Sequence, residues 1–544
     1  MNKLFTQLVE KRHLTEDYLH PKYDQLEDPA TLPDMAKAVA RIKQAIANNE
    51  RILIYGDYDV DGVTASTVME QALKLAKIPP SSITIMLPDR FIDGYGMSPR
   101  LVTRAKETGS TLVITVDCGS RNHAIVDELN HEHIDTIVTD HHECEPTLPS
   151  AIAVINPKRH DYQGPATLRD LAGVGVAFKL AQALVQQNLI PDGQEKWLLD
   201  LVLLGTICDS MTLTKENRIL TYYGLKVLEK TRRPGLKAIL QNAKAKTINS
   251  ETIGFQIGPR LNAAGRLTTA ELALSVLRTP SGAEATKLAS ELETLNKQRR
   301  HEQIAALDEI TTRGLVEGPV IIETGPWHEG ILGIIAGRLV EQYKRPAFVL
   351  AEIENNIYKG SGRSFGDFNL AEALTQVKDV ILGGGGHAAA AGVKLDGKNL
   401  YQFRERINAY YDSLHLTDQT KHLRLAPDLT VTTLADFNFE LLDDLKSLEP
   451  FGPGNEEPLF CLKDVEVIST RRLGADGKHL RLDFHEGATI LKSVAFGVPA
   501  DWFTLADLAV ARDPAAPTAY LVRPVLNEFQ GTTSVEVRLL DILV

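Results

Sequence analysis

The stretch ILIYGDYDVDGVTAS, residues 52–66, joins an apolar run to three aspartates at alternate positions, Asp57, Asp59 and Asp61, followed by Gly62. Carboxylates this close repel one another unless a positive charge sits between them, so the pattern calls for a cation. D-x-D-x-D-G also opens a calcium-binding EF-hand loop. That loop needs a glutamate at its twelfth position to grip the ion from the far side. Counted from Asp57, position twelve is Val68, and the residues before the loop read as a strand, not a helix. A solvated acidic turn is the plain alternative, and the surrounding chain decides between them.

Working outward, short apolar runs recur through the first half: ILIY (52–55), ITIML (83–87), LVITV (112–116), IDTIV (134–138) and AIAVI (151–155). Segments of helical period such as SPRLVTRAKETG separate them. This alternation is the mark of βαβ units and a mostly parallel sheet. The runs lack polar alternation, which fits strands covered on both faces. After Pro280, Ser281 and Glu284 form a capping-box pattern, and no Gly or Pro occurs from Ala283 to Arg313. The spacing predicts a helix of about 45 Å, either a rigid connector between domains or a helix packed within one. A second α/β pattern begins near Gly318 and ends in GGGGHAAAAG, residues 383–392. From about Leu425 short alternating segments predict a small antiparallel barrel.

The 544 residues are too many for one core. An apolar content of 43% with 24% charged residues is ordinary for a soluble protein, no run approaches the length of a membrane span, and the charged start is no secretory signal. A cytoplasmic protein is expected. Four cysteines, Cys118, Cys144, Cys208 and Cys461, show no CxxC spacing, which argues against a disulfide framework or zinc ribbon. The net charge of -12 disfavours a nucleic-acid partner on its face. Yet residues 213–247 hold nine Lys or Arg against Glu216 and Glu229, enough either for a local basic groove or for a solvated helix face.

Ligands of open parallel sheets gather beyond the carboxyl ends of the strands. Here those ends carry Asp57, Asp59 and Asp61, then Asp117, then Asp140, His141 and His142, while the apolar run LVLLGTIC ends in Asp209. Any one could be a turn residue, but four such ends together predict a convergent site. Carboxylates with imidazole suit Mn²⁺ or Mg²⁺, and five or six ligands suit two ions, the arrangement that serves phosphoester hydrolysis. Cys118 and Cys208 adjoin Asp117 and Asp209, and neighbours in extended backbone face opposite ways, so the thiols read as filler rather than zinc ligands.

YGDYDVDG, VDCG, TDHHE and LGTICDS, in this order, resemble the four motifs of the DHH phosphoesterase superfamily. With LEDPATLPDMAKAVARI, DRFIDGYGMS, LAGVGVAF, GPRLNAAGRL, WHEGILGI, KGSGRS, GGHAAAAG and LEPFGPGNEEPLF, the chain from about residue 15 onward is similar to the RecJ family of bacterial single-strand-specific exonucleases. The resemblance implies an α/β fold: a parallel-sheet DHH domain with an N-terminal leader (1–280), a long connecting helix (281–315), a smaller α/β DHH-associated domain (316–420) and a β-barrel OB-fold (421–544). It implies 5′→3′ degradation of single-stranded DNA to mononucleotides in repair and recombination, with two Mn²⁺ or Mg²⁺ ions. Asp59, Asp61, Asp117, His141 and Asp209 fall on the family's metal ligands, Asp117 as the bridging one. His142 falls near the scissile phosphate. Asp57, the preceding acid, and Asp140, which orients its neighbours, join His142 in the catalytic set. Arg266, Ser361 and Arg363 resemble residues that hold the 5′-terminal phosphate, with Arg90 beside them, and His387 sits where the superfamily contacts substrate. Trp327 and His328 match the family without an assigned role.

The OB-fold would hold the downstream strand by a basic groove and stacking; Phe460, Phe484 and Tyr520 are the aromatic candidates there, although such residues are more often core than platform. Single-strand-binding protein and a RecQ-type helicase are partners implied by the resemblance alone. Two rival readings are a phosphodiesterase for short oligonucleotides or cyclic dinucleotides, and a non-catalytic replication scaffold. The OB-like tail argues against the first, and the filled ligand positions argue against the second.

Overall fold

Strands β1 (Ile52–Tyr55), β2 (Ile83–Met86), β3 (Leu112–Val116), β4 (Asp135–Thr139) and β5 (Ala153–Ile155) form one parallel sheet in the order β2-β1-β3-β4-β5. The structure, a computed structural model, describes residues 1–94, 96–416, 426–474, 476–529 and 531–543. Every residue of β1 and β3 is buried, as a sheet with helices on both faces requires. The strand order reverses between β1 and β3, which opens a crevice at their carboxyl ends.

The run LVLLGTIC is not a strand. It lies in the helix Leu199–Cys208, packed between the helices Val60–Leu75 and Lys215–Glu229. A helix apolar all round and a buried strand give the same short pattern. Burial also explains Gly205: a Cβ there would lie 2.6 Å from both Asp61 Oδ1 and Thr64 Oγ1. Only glycine lets this helix approach the aspartate loop so closely.

The connector is the helix Gly282–Arg313. Ser281 Oγ accepts from the Glu284 N–H at 3.3 Å, but the Glu284 carboxylate accepts from Thr279 Oγ1. Ala285, Ala289 and Leu292 join the core around the first sheet, while Ala306 and Ile310 join a core with Ile321, Ile331 and Ile335. The helix therefore belongs to two hydrophobic cores at once.

The second sheet runs β6 (Ile321–Thr324), β7 (Ala347–Glu354), β8 (Ile357–Arg363), β10 (Ala390–Asp396) and β9 (Gly383–Gly386) in spatial order. β6 and β7 are parallel and the other pairs antiparallel.

The C-terminal region, expected as a small antiparallel barrel, forms a mostly antiparallel sheet. Strands β11 (Leu429–Val431), β12 (Phe460–Lys463), β13 (Glu466–Leu473), β14 (His479–Glu486), β15 (Thr489–Val494), β16 (Ala519–Phe529) and β17 (Thr532–Leu543) form one sheet in the order β11-β12-β16-β17-β15-β14-β13. Two of its pairs, β11 with β12 and β15 with β17, are parallel. Among the described residues β11 and β13 stand at its two edges. The boundary expected at 420/421 lies outside the described residues.

Phe460, Phe484 and Tyr520, expected as stacking platforms, are buried in the core of this sheet. They face inward from β12, β14 and β16, and inward aromatics are packing residues. Leu4, Phe5 and Leu8 of the first helix, Lys3–Lys11, enter the same core. The leader's first helix thus packs on the C-terminal domain and not on the DHH domain with which its sequence position grouped it.

Much of the basic stretch 213–247 has internal partners. Arg218 is buried and donates to the carbonyls of Tyr18, Ser447, Leu448 and Glu449 at 2.8–3.2 Å. Arg233 pairs with Asp200 at 3.2 Å, Arg232 stacks 3.5 Å over Trp197, and Lys226 lies 3.9 Å over Tyr222. Arg218 ties the C-terminal domain to the catalytic half. Among the described residues no helix is long and apolar enough to cross a membrane.

Candidate active site

The crevice at the ends of β1, β3 and β4 gathers every acidic and histidine residue expected there. Asp59 caps the helix Val60–Leu75, its Oδ1 accepting from the Gly62 N–H at 3.1 Å. Asp61, one residue into that helix, is buried and accepts from the N–H groups of Gly173 and Val174 at 2.7 and 2.8 Å, at the start of the helix Gly173–Gln186. Asp117 follows β3 in a left-handed conformation, φ 62°, which turns its carboxylate into the crevice. Asp209 is the C-cap of the helix Leu199–Cys208.

His141 Nε2 lies 3.1 Å from Asp117, 3.6 Å from Asp209 and 3.8 Å from Asp61. Three sets of donor atoms each converge within 4.8 Å: Asp57, Asp59 and Asp117; Asp61, His141 and Asp209; Asp117, His141 and His142. Asp117 links the first set to the third, and His141 links the third to the second. Asp57, expected outside the metal ligands, is thus as well placed as Asp59. Asp140 belongs to none of the sets. It accepts from the backbone N–H groups of Ser120, His141 and His142 at 2.7–3.1 Å, and its Oδ1 lies 2.8 Å from His142 Nδ1.

Burial and mutual repulsion raise the carboxyls of this cluster. Burial, then the neighbouring Asp59, pushes the Asp57 carboxyl up to about 8. Burial and Asp59 also raise Asp209 to about 7, and Asp61 and Asp117 are driven well up by burial and then by the other carboxylates. Asp117 Oδ1 is buried and accepts no hydrogen bond. Burial lowers His141 to about 3, leaving a neutral imidazole. Burial alone would raise Asp140, but the His142 hydrogen bond and charge outweigh it and hold this carboxyl well below the usual range. Clustered carboxylates beside a neutral imidazole are the donor set of a hard divalent ion such as Mn²⁺ or Mg²⁺. The four thiols enter none of the donor sets; Cys118 points back toward the Tyr55 carbonyl, 3.9 Å away.

Across the crevice, Arg90, Arg266, Ser361 and Arg363 line one cavity of about 450 Å³ together with Tyr58. Arg363 donates to Ser361 Oγ at 3.1 Å, and Arg90 lies 4.7 Å over the Tyr58 ring. Among the described residues none of the three arginines has a carboxylate ion pair. Burial, then repulsion from Arg90, Arg299 and Arg363, lowers Arg266 to about 9. Uncompensated guanidinium groups around a cavity form an anion site. His387 is exposed at the turn between β9 and β10 and lines a second cavity, of about 630 Å³, with His142, Arg121, Lys359 and Lys394.

Family models match this arrangement in chain order: "DHH family, N-terminal domain" over residues 51–206, "DHHA1 domain" over 317–413 and "RecJ OB domain" over 429–541. RecJ of Escherichia coli (strain K12) is 34% identical over 538 residues, covering 93% of this chain and 89% of that protein. The chain belongs to the RecJ family. RecJ of Bacillus subtilis (strain 168) is 37% identical over 88% of this chain, which spans 60% of that protein's length. The crystal structure of Thermus thermophilus RecJ in complex with Mn²⁺ matches with a TM-score of 0.83 and 29% identity, covering 100% of this chain and 76% of that one. The same protein's Mg²⁺ complex matches with a TM-score of 0.77 and 27% identity, covering 100% and 75% of the two chains.

Some residues of this RecJ-family site escaped sequence reasoning. A cavity of about 820 Å³ opens beside Asp209, lined by Cys208, Ser210, Phe255, Arg299, Phe451 and Arg523 among others. Phe255 is 76% exposed on a π-helical turn, Ile253–Ile257, a rare geometry that gathers at functional sites. Arg299 is buried, held by Asn296 and Gln303 at 3.0–3.3 Å. These residues lie on separate elements, and no motif links them. The helical period of the connector gave Arg299 no distinction from its neighbours.

Proposed function

We propose that this chain is a metal-dependent 5′→3′ exonuclease that degrades single-stranded DNA to 5′-mononucleotides. The observation that carries the reading is the nearness of two sites of opposite charge, close enough that Arg90 acts on Asp57 and Asp59 on Arg266. One is the carboxylate and imidazole cluster around Asp117, and the other is the cavity lined by Arg90, Arg266 and Arg363, which carry no carboxylate partner among the described residues. Asp59, Asp61, Asp117, His141 and Asp209, joined by Asp57, would hold two Mn²⁺ or Mg²⁺ ions. Such ions supply Lewis acidity that activates water and neutralises charge on phosphoryl oxygens.

The protein's own side chains supply the rest. Arg266, Arg363, Ser361 and Arg90 grip a terminal 5′-phosphate, which sets the polarity. Asp140 fixes the His142 ring through the 2.8 Å contact, and despite burial it holds that imidazole protonated to higher pH than usual. His142 then meets a non-bridging oxygen of the scissile phosphate with a donated proton. His387 lines the 630 Å³ cavity together with His142. The 820 Å³ cavity receives the remaining strand, where Phe255 and Arg299 supply the aromatic face and cation that single strands require.

RecJ family membership supports a role in repair and recombination in the cytoplasm, with single-strand-binding protein and a RecQ-type helicase as partners. The test is an end-labelled single-stranded oligonucleotide digested with Mn²⁺, beside the Asp117→Ala variant. Immediate release of the 5′ label as mononucleotide, abolished by the substitution, is expected. Shortening from the 3′ end overturns the polarity. Hydrolysis of short oligonucleotides alone overturns the long-strand substrate.

A further inference from the structure

Four consecutive residues between β6 and the helix Leu332–Tyr343 make contact with four other parts of the molecule. Trp327 Nε1 donates to Glu309 on the connecting helix at 3.0 Å, and Arg313 of that helix lies 5.5 Å over the indole. His328 Nδ1 accepts from the Gly330 N–H at 3.1 Å, so the imidazole acts as the N-cap of the short turn Glu329–Ile331. Its ring also packs edge-on against Phe91, 5.4 Å away, next to Arg90. Glu329 pairs with Lys359 on β8 at 2.6 Å. The Gly330 carbonyl accepts from Arg266 Nη1 at 3.3 Å.

Gly330 leaves no slack in this arrangement. A Cβ there would lie 1.8 Å from the Arg266 carbonyl, so the turn abuts the end of the helix Gly258–Leu267 backbone to backbone. Among the described residues the Gly330 carbonyl is the only partner outside the first α/β domain that holds the Arg266 guanidinium. A guanidinium without a carboxylate needs such an acceptor to stay aimed. Whatever fixes the turn therefore fixes the arginine.

We propose that His328 is a positioning residue for the terminal-phosphate pocket. Its cap sets the Gly330 turn that orients Arg266, and its ring steadies the Phe91 side of the Arg90 loop. The discrimination between 5′-phosphorylated and 5′-hydroxyl ends runs through it. This inference rests on the reading of Arg266, Arg363 and Arg90 as the terminal-phosphate site.

The test compares the full chain with His328→Ala and His328→Asn, using Mn²⁺ and one single-stranded oligonucleotide carrying either a 5′-phosphate or a 5′-hydroxyl. Asparagine offers a side-chain acceptor at an N-cap, and alanine does not. His328→Ala is expected to raise KM for the phosphorylated strand by about fivefold to tenfold, the worth of one lost cap. The kcat should stay within about twofold, and the preference for phosphorylated ends should shrink in proportion. His328→Asn should restore most of the preference. In an Arg266→Lys background, His328→Ala should add little, because both act on one interaction.

A wild-type chain that prefers phosphorylated ends, with His328→Ala unchanged in that preference, overturns the inference and leaves the phosphate site standing. Equal loss on both substrates, or failure of asparagine to restore the preference, also overturns it. A wild-type chain blind to the terminal phosphate overturns both readings together.

Discussion

Asp117 and His141 stand on the ends of the adjacent parallel strands β3 and β4, and their side chains meet at 3.1 Å between Asp117 Oδ1 and His141 Nε2. The contact joins the two halves of the acidic cluster, since Asp117 shares one donor set with Asp57 and Asp59 while His141 shares another with Asp61 and Asp209. Asp117→Asn is expected to lower kcat by about a thousandfold or more, since charge stabilisation by a metal is worth several kcal/mol. In metal-free buffer the same variant should melt at higher temperature than the wild type, because it removes a buried carboxylate raised by burial and by Asp61, Asp59, Asp57 and Asp209. Activity assays and a melting curve in EDTA read both effects.

The metal-free protein should lose stability with rising pH. Asp57 stands at about 8 and Asp209 at about 7 in the fold, above the ordinary carboxylate value of 3.8. A carboxyl raised on folding contributes most below its ordinary value, and the contribution disappears as pH climbs through the folded value. Melting temperatures in EDTA should therefore fall between pH 5 and pH 9, conditions set about the interval between the ordinary and folded values. With Mn²⁺ present the fall should vanish. A flat EDTA profile would contradict the electrostatic account of the cluster.

Glu70 gives the opposite sign. It is buried on the helix Val60–Leu75 and takes Arg278 through two bonds of 3.0 and 2.5 Å, with Lys74 at 2.9 Å. Burial alone would raise its carboxyl, but these partners outweigh burial and hold it low. Its contribution is present above the ordinary value of 4.5 and is lost as pH falls through the lower folded value. Glu70→Gln is expected to cost about 2–3 kcal/mol at neutral pH, since breaking a buried pair strands its partner. The difference from wild type should shrink in acid, measured by urea unfolding.

Removing Arg218 should loosen the C-terminal domain without touching the metal cluster. Arg218→Met leaves the carbonyls of Tyr18, Ser447, Leu448 and Glu449 without their donor. A cost of about 3 kcal/mol is expected from unsatisfied buried acceptors. Limited proteolysis should degrade the C-terminal domain faster in the variant, while hydrolysis of a dinucleotide stays near the wild-type rate.

Phe255→Ala should weaken binding of long single strands by about tenfold, within the ~1–3 kcal/mol of one base stacked on an aromatic ring. Phe255→Trp should retain it. Because Phe255 is 76% exposed, unfolding stability should change by less than about 0.5 kcal/mol. Equal binding by all three proteins, measured by fluorescence anisotropy with Ca²⁺ in place of Mn²⁺, would remove Phe255 from the strand path.

The sequence by itself determined the parallel sheet, the connecting helix and the identity of the acidic cluster. These are local properties. Apolar runs ending in Asp57, Asp117 and Asp140 place side chains at strand ends whatever the rest of the chain does, and Ser281 caps its own helix three residues on. What depends on contacts between distant segments was decided only by the tertiary structure. LVLLGTIC became a helix because a segment buried on every side carries no period to mark its type. Phe460, Phe484 and Tyr520 became core because inward and outward faces of a strand are set by what packs on the sheet, here the first helix of the chain. Arg218 left the basic surface for four carbonyls, three of them some 230 residues away. Arg266 and Gly330 likewise meet across 64 residues of chain, and no spacing in one dimension encodes a hydrogen bond made in three.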